Sequence, residues 1–229
     1  MIACIIQARM TSKRLPGKIL APLAGVPVLL RVVNRVRQAD SAQSVIVATS
    51  RESSDDPVEA LCVEHNIHLY RGGLENVASR YKDVLLMHGF DSFVRISADS
   101  PFIDPGIIDR AVEIFVSGKF DMVTNTLKRT FPRGQSVQVI KRDTFIENYP
   151  AFSTEEQEHV LSYFQNRKGT CDVFNFTHEG EDLSDIDLSI NEPGDLAWAG
   201  RVIEHLGRRA DDASYTEIIK AYKHVKACV

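Results

Sequence analysis

Short apolar, β-branched runs alternate with helix-length amphipathic segments through the first 124 residues, and this alternation leaves the chain few possible architectures. The runs are Ile2 to Ile6, SVIVAT (44–49), IHLY (67–70), SFVRI (92–96) and FDMVT (120–124). Helical patterns fill the intervals: Val28 to Gln38, Pro57 to Glu64, Glu75 to His88 and Pro105 to Val116. Strand, helix, strand with short connections predicts an α/β fold, a Rossmann-like, doubly wound and mostly parallel sheet covered on both faces. Ligands of such sheets sit beyond the C-terminal strand ends. Two helix starts carry cap signals, Asp55 and Asp56 ahead of Pro57 and Asp104 ahead of Pro105.

The alternation lapses after residue 124. The segment NTLKRTFPRGQSVQVIKRDTFIENYP offers a turn at Pro132 to Gly134, a strand-like SVQVI and a short helix. A helix over Thr154 to Gln165 and a strand near Asp172 to Phe176 follow, so residues 125–177 are expected to form a small inserted lobe within a single 1–229 domain. The α/β pattern resumes with DIDLSI and two C-terminal helices, 193–206 and 214–226.

At 229 residues and 44% hydrophobic, the chain can bury a sizeable core. Cys4, Cys62, Cys171 and Cys228 are scattered without a C-x-x-C pair, which argues against a zinc site or a disulfide framework and favours a reducing compartment. The start shows no leader pattern, and no apolar run approaches the roughly 18 residues of a membrane span. A cytoplasmic protein without membrane attachment is expected.

Charge is distributed unevenly. Arg9, Lys13, Arg14, Lys18, Arg31, Arg35 and Arg37 all precede the first acid, Asp40, leaving 20 cations against 31 acids in the remainder and a net charge of -4 overall. A nucleic-acid binder would spread cations over a long face and interleave aromatics, so no nucleic-acid partner is expected. The stretch QARMTSKRLPGK, with four cations and no acid, instead follows the first strand onto the ligand-binding edge. Lysines and arginines there suit phosphate oxygens, although neither a Walker loop nor a G-x-G-x-x-G fingerprint is present.

IIQARMTSKRLPGKIL resembles the N-terminal signature of the cytidylyltransferases that make CMP-sugars, and most closely their SpsF-type branch. The likeness continues in order through YRGGLENVASRY, VRISADSPFIDP, FPRGQSVQV, EHV and LSINEPGDL. It implies a nucleotide-diphospho-sugar transferase type of fold and the reaction of CTP with a sugar, a keto-sugar acid, to give CMP-sugar and pyrophosphate for surface polysaccharide. It also implies a Mg²⁺ cofactor, and a homodimer paired through the inserted lobe, where Phe131, Val137, Val139, Phe145 and Phe152 exceed what a small lobe would cover alone.

Residue roles follow from the same resemblance. Arg9, Arg14 and Lys18 match phosphate-binding positions, and Asp99 matches a metal-ligating aspartate; Arg9, Lys18 and Asp99 form the implied catalytic set. Arg71 and Ser79 match positions near the base, joined by the backbone of Gln7 and Ala8. Arg80 is open between holding a phosphate or substrate carboxylate and pairing with an acid, Lys13 has no assigned role, and His159 in EHV is a candidate for the substrate side.

Three departures stand out. Ser136 and Gln138 replace an aspartate and a glutamate usual in the branch, on one face of a strand-like run, and Asn191 replaces a metal-binding aspartate. Asn191 still offers a carbonyl oxygen to Mg²⁺, a weaker ligand than a carboxylate. An active enzyme is therefore weighed against a degenerate nucleotide binder. A glycosyltransferase of similar fold is the third reading, and it lacks its D-x-D pair where this chain has SADS. His65 and His68 do not suit a metal pair, Asp182, Asp185 and Asp187 read as a solvated turn, and Trp198, Tyr215 and Tyr222 read as helix packing.

Overall fold

A computed structural model describes residues 1–167 and 169–227 of the chain; Cys228 lies outside the described residues. The strands are β1 (Ile2–Gln7), β2 (Pro22–Leu23), β3 (Val26–Pro27), β4 (Ser44–Ser50), β5 (His68–Gly72), β6 (Ser92–Ser97), β7 (Met122–Thr124), β8 (Gln138–Lys141) and β9 (Val173–Asn175). The helices are α1 (Val28–Val36), α2 (Asp56–Glu64), α3 (Val77–His88), α4 (Pro105–Val116), α5 (Arg142–Asn148), α6 (Thr154–Glu158), α7 (Ser162–Asn166), α8 (Pro193–Leu206) and α9 (Tyr215–Ala227).

Seven strands form the main sheet in the order β5-β4-β1-β6-β8-β7-β9, with β8 antiparallel to both neighbours and every other pairing parallel. The chain leaves β1 toward β4 and β5, then crosses back to β6 on the other side of β1. That reversal puts the topological switch point, the usual ligand crevice of such sheets, between β1 and β6.

The central strand is apolar because both of its faces are covered. Cys4 and Ile6 point into a core shared with α1, α2 and α4, and Ala3 and Ile5 point oppositely, among α3, α5 and the segment from Phe152 to Phe164. Helix α1 buries Val28, Leu29, Val32, Val33 and Val36, a helical stripe in which each residue removed from water contributes roughly 1.5–3 kcal/mol. A third cluster seats α8 and α9 against Leu188 and Ile190, with Trp198 stacked on Phe102 at 5.9 Å. The packing role read for Trp198, Tyr215 and Tyr222 agrees with this arrangement.

Four expectations need correction. Segment 125–177 is no separate lobe, since β8 lies inside the main sheet and β9 at its edge. Phe131, Val137, Val139, Phe145 and Phe152 are all at most 5% exposed within the monomer, so they leave no apolar surplus calling for a partner. The helix over 154–165 is interrupted at His159 to Leu161, where Val160 and Leu161 turn into the core. The alternation of DIDLSI does not make a sheet strand: Asp187 accepts from the Ser189 amide at 2.8 Å, and one parallel bridge joins Asp187 to Arg133. Leu188 and Ile190 are apolar because this strap lies on α8 and α9.

Asp104 caps α4 as expected, accepting from Gly106 at 2.8 Å and Ile107 at 3.3 Å. Asp55 does something else. Its buried carboxylate accepts from the Met10 amide at 2.8 Å, Thr49 Oγ1 at 2.9 Å and the Ser50 amide at 3.0 Å, which ties the loop after β1 onto β4. Burial raises this carboxyl, and the hydrogen bonds from Ser50, Met10 and Thr49 outweigh it, holding its pKa below the ordinary value.

Candidate active site

The loop from Ala8 to Gly17 is folded on itself by backbone bonds. Ala8 donates to the Ala48 carbonyl at 3.0 Å, and the amides of Ser12 and Gly17 both reach the Met10 carbonyl at 2.9 Å. With Asp55 clamping Met10, the loop becomes a fixed shelf at the switch point. A single helical turn, Lys18 to Leu20, then aims Lys18 back across the C-terminal ends of β1 and β6.

The result is an open cleft of about 450 Å³, lined by Gln7, Arg9, Ser12, Lys13, Arg14, Lys18, Ile19, Ser97, Ala98, Asp99, Glu158, His159 and Asn191. Lys18 Nζ donates to Asp99 Oδ2 at 2.6 Å, the Ile190 carbonyl at 2.7 Å and Asn191 Oδ1 at 3.2 Å. Arg14 donates to the same Asn191 oxygen at 2.8 Å, and Arg9 pairs with Glu158 at 3.1 Å. Asp99 is oriented by the Ser97 hydroxyl at 2.7 Å, Asn191 by the Ser189 hydroxyl at 2.8 Å and by Asp195, which accepts the Asn191 amide at 2.7 Å. Four cations against two acids leave the cleft positive, suited to a small polyanion. The hydrogen bond from Arg9 holds the Glu158 carboxyl below its ordinary pKa, so this acid is charged at neutral pH.

The residues expected from the sequence fall into two groups. Gln7, Arg9, Arg14, Lys18, Asp99, His159 and Asn191 come together in the cleft, joined by Lys13. Ala8 is buried beside it, only 1% exposed. The others lie off the lining. Arg71 is spent on Asp56 at 2.7 Å, on Glu59, and on the Ser50 carbonyl at 2.8 Å. Ser79 is tied to Asn76 through its amide at 2.9 Å and its hydroxyl at 2.7 Å.

Arg80 forms no ion pair with an acid among the described residues. It is fully buried and donates to backbone carbonyls, Gly73 at 2.8 Å and Leu74 at 2.9 Å, pinning the turn before α3. Burial lowers its pKa, partly offset by the nearby Asp55. Ser136 accepts from Arg129 at 3.1 Å, and Gln138 accepts from Arg95 at 2.7 Å.

Glu158, Ser97 and Arg95 were not singled out by sequence reasoning. Arg95 left a signal, a cation inside the apolar run SFVRI, where an unpaired charge is costly. Glu158 left only its position beside His159.

The donor chemistry around Lys18 fits a hard cation. A carboxylate oxygen, an amide oxygen and a backbone carbonyl converge on one ammonium, the oxygen set that Mg²⁺ also takes. Among the described residues no cluster of three or more His, Cys, Asp or Glu is placed to hold a metal. A cation here would rest on one carboxylate supplemented by substrate phosphates, a common arrangement for Mg²⁺.

The Bacillus subtilis spore coat polysaccharide biosynthesis protein SpsF is 34% identical over 172 residues, covering 72% of this chain and 70% of that protein. A 3-deoxy-manno-octulosonate cytidylyltransferase of Geobacter sulfurreducens is 30% identical over 169 residues, covering 72% and 65%. A solved cytidylyltransferase structure from Leptospira borgpetersenii superposes with a TM-score of 0.92 at 27% identity, over 99% of this chain and 95% of that one. A family model described as cytidylyltransferase matches residues 3–186, which span the main sheet from its second residue onward and every cleft residue except Asn191. The chain belongs to the cytidylyltransferase family.

Proposed function

We infer that the protein transfers the cytidylyl group of CTP to a sugar, a keto-sugar acid, forming a CMP-sugar for polysaccharide biosynthesis. The observation that carries this reading is the cationic cleft at the switch point, where Arg9, Arg14 and Lys18 converge beside Asp99 in a chain of this family. The sugar hydroxyl oxygen attacks the α-phosphorus, the bond to the α–β bridging oxygen breaks, pyrophosphate leaves with that electron pair, and the hydroxyl proton passes to solvent.

Each residue has a physical task. Arg9, Arg14 and Lys18 hold the β- and γ-phosphate oxygens, positioning the α-phosphorus for in-line attack and stabilising the charge carried off by pyrophosphate. Gln7 and the backbone of Ala8 border the nucleoside side. Asp99 and Asn191 would hold Mg²⁺, which when bound neutralises charge at the α-phosphate. Working as a homodimer belongs to the same proposal and rests on the family resemblance, and a cytoplasmic location rests on the scattered cysteines. Among the described residues no helix is long and apolar enough to cross a membrane.

Triphosphate binding requires Glu158 to release Arg9. Their pair is exposed, 37% and 41% for the two side chains, so breaking it costs only about 0.2–1 kcal/mol. Glu158→Gln is expected to tighten CTP binding up to about fivefold by removing this competitor. Calorimetric titration checks it, and weaker binding would mean that Glu158 assists the nucleotide.

The second reading, a nucleotide binder without turnover, is favoured by the neutral Asn191 at the would-be metal position. A pyrophosphate-release assay of each NTP against acidic and neutral sugars separates the two. CTP-selective, sugar-dependent release is expected; CTP binding without release from any sugar establishes the second reading.

A further inference from the structure

The cleft has two walls that come from opposite faces of the sheet. Ile19 belongs to the core under α1, α2 and α4, and Ile190 to the cluster under α8 and α9, so their neighbours Lys18 and Asn191 stand on one wall. Val160 and Leu161, 0% and 1% exposed, are seated in the opposite core with α3 and α5, and they anchor Glu158 and His159 on the other wall.

His159 is held by its backbone and free at its ring. Its amide donates to the Glu155 carbonyl at 2.9 Å, and its carbonyl accepts from the Ser162 amide at 2.8 Å. The short helix before it is fixed by a capping box between Ser153 and Glu156. Among the described residues its imidazole makes no hydrogen bond, yet it lines the cleft.

A sugar hydroxyl that attacks phosphorus must lose its proton, and a positioned base that takes it speeds such a step by about 10²–10⁴-fold. In-line attack places that hydroxyl on the side of the phosphorus away from the leaving pyrophosphate. With the leaving oxygens on Arg14 and Lys18, that side is the wall of Glu158 and His159, which Arg9 vacates when it turns to the triphosphate.

The charged groups that share the cleft with His159 are Glu158 of its own segment, Arg9, Lys13, Arg14 and Lys18 of the shelf and the turn after it, and Asp99 beyond β6; α3, packed against α6, contributes no lining residue. The four cations attract phosphate. Asp99 accepts from Lys18 and Ser97 on the far wall. The hydrogen bond from Arg9 holds Glu158 below its ordinary pKa, which makes it a poor proton acceptor. Histidine is the side chain suited to exchanging a proton near neutral pH, and His159 is the one imidazole among the described lining residues.

We propose that His159 is the general base of the transfer, its imidazole nitrogen taking the proton of the acceptor hydroxyl as that oxygen bonds to the α-phosphorus. The bond to the α–β bridging oxygen breaks in the same step and pyrophosphate leaves with the electron pair. The imidazolium then passes the proton to solvent through the open side of the cleft and returns to its neutral form. This rests on the transfer reading above.

The test follows pyrophosphate release from CTP over a pH series in wild type, His159→Gln, His159→Ala and Glu158→Gln, with 3-deoxy-manno-octulosonate, N-acetylneuraminate and neutral hexoses as acceptors and CTP titration as a folding check. His159→Gln should lower kcat by about 10²–10⁴-fold, with KM for the sugar and CTP affinity each within about twofold of wild type. Wild-type kcat/KM should fall on the acid side, where a base becomes protonated, and this limb should be absent from His159→Gln and present in Glu158→Gln. Added imidazole should restore part of the activity of His159→Ala and leave wild type unchanged. Full activity in His159→Gln, or reduced activity with the acid limb retained, overturns the proposal, as does a limb that vanishes in Glu158→Gln instead. Should His159→Gln lose CTP binding, the decision falls to imidazole rescue of His159→Ala and to the wild-type profile, where the lack of either an acid limb or rescue is contrary. Absence of release with every sugar overturns the transfer reading and this proposal with it, whereas release that does not depend on His159 overturns this proposal alone.

Discussion

Lys18→Ala is expected to lower CTP-dependent pyrophosphate release by about 10²–10³-fold, the usual cost of removing one preorganised donor at developing charge. Lys18 is held on three oxygens of Asp99, Ile190 and Asn191, so its ammonium is already positioned before substrate arrives. Its side chain is 11% exposed, and water cannot take over its role at equal strength. Steady-state kinetics checks this result; a loss below about tenfold would mean that Lys18 serves the fold rather than the phosphates.

Gly134→Ala is expected to damage the site from a distance. Gly134 sits at φ +87, where a side chain is strained, and an added Cβ would lie 2.9 Å from the Leu188 backbone carbon and 3.0 Å from the Ser189 nitrogen. Arg133 donates to the Ile186 carbonyl at 2.9 Å and receives the Leu188 amide at 2.9 Å, so the two segments are fastened side by side at this point. Displacing the strap moves Ile190 and Asn191, which are two of the three acceptors of Lys18. The substitution should cost about 1–3 kcal/mol, which for a chain of this size lowers Tm by on the order of 2–12 °C. Turnover should fall together with stability. Thermal denaturation alongside kinetics checks it, and an unchanged Tm would show that the strap is not seated on Gly134.

What the sequence disclosed follows from which interactions are local. The parallel core was legible because buried strands such as Ile2 to Ile6 and capped helices such as Pro105 to Val116 write their environment into consecutive residues. The cationic shelf was legible for the same reason, four cations in one stretch following one strand. Arg71 and Arg80 have partners that no local pattern records. The resemblance set Arg71 and Ser79 near the base and left Arg80 open, yet Arg71 is claimed by Asp56 and Glu59, and Arg80 by the carbonyls of Gly73 and Leu74. Such partners are fixed by tertiary placement. DIDLSI misled for a related reason, since apolar alternation records burial on one side and does not say whether a strand or a helix pair supplies the cover. Asp55 reads as a helix cap in sequence, and only the fold brings it to Met10, 45 residues away.

The most direct measurement of the central claim is a calorimetric titration of CTP and CMP into wild type, Arg14→Ala and Lys18→Ala. If this cleft grips the β- and γ-phosphates, both substitutions weaken CTP binding far more than CMP binding, because CMP lacks those groups and the charge-assisted contacts they would make. Equal weakening of CTP and CMP, or no change in either, would contradict the placement of the triphosphate on Arg14 and Lys18.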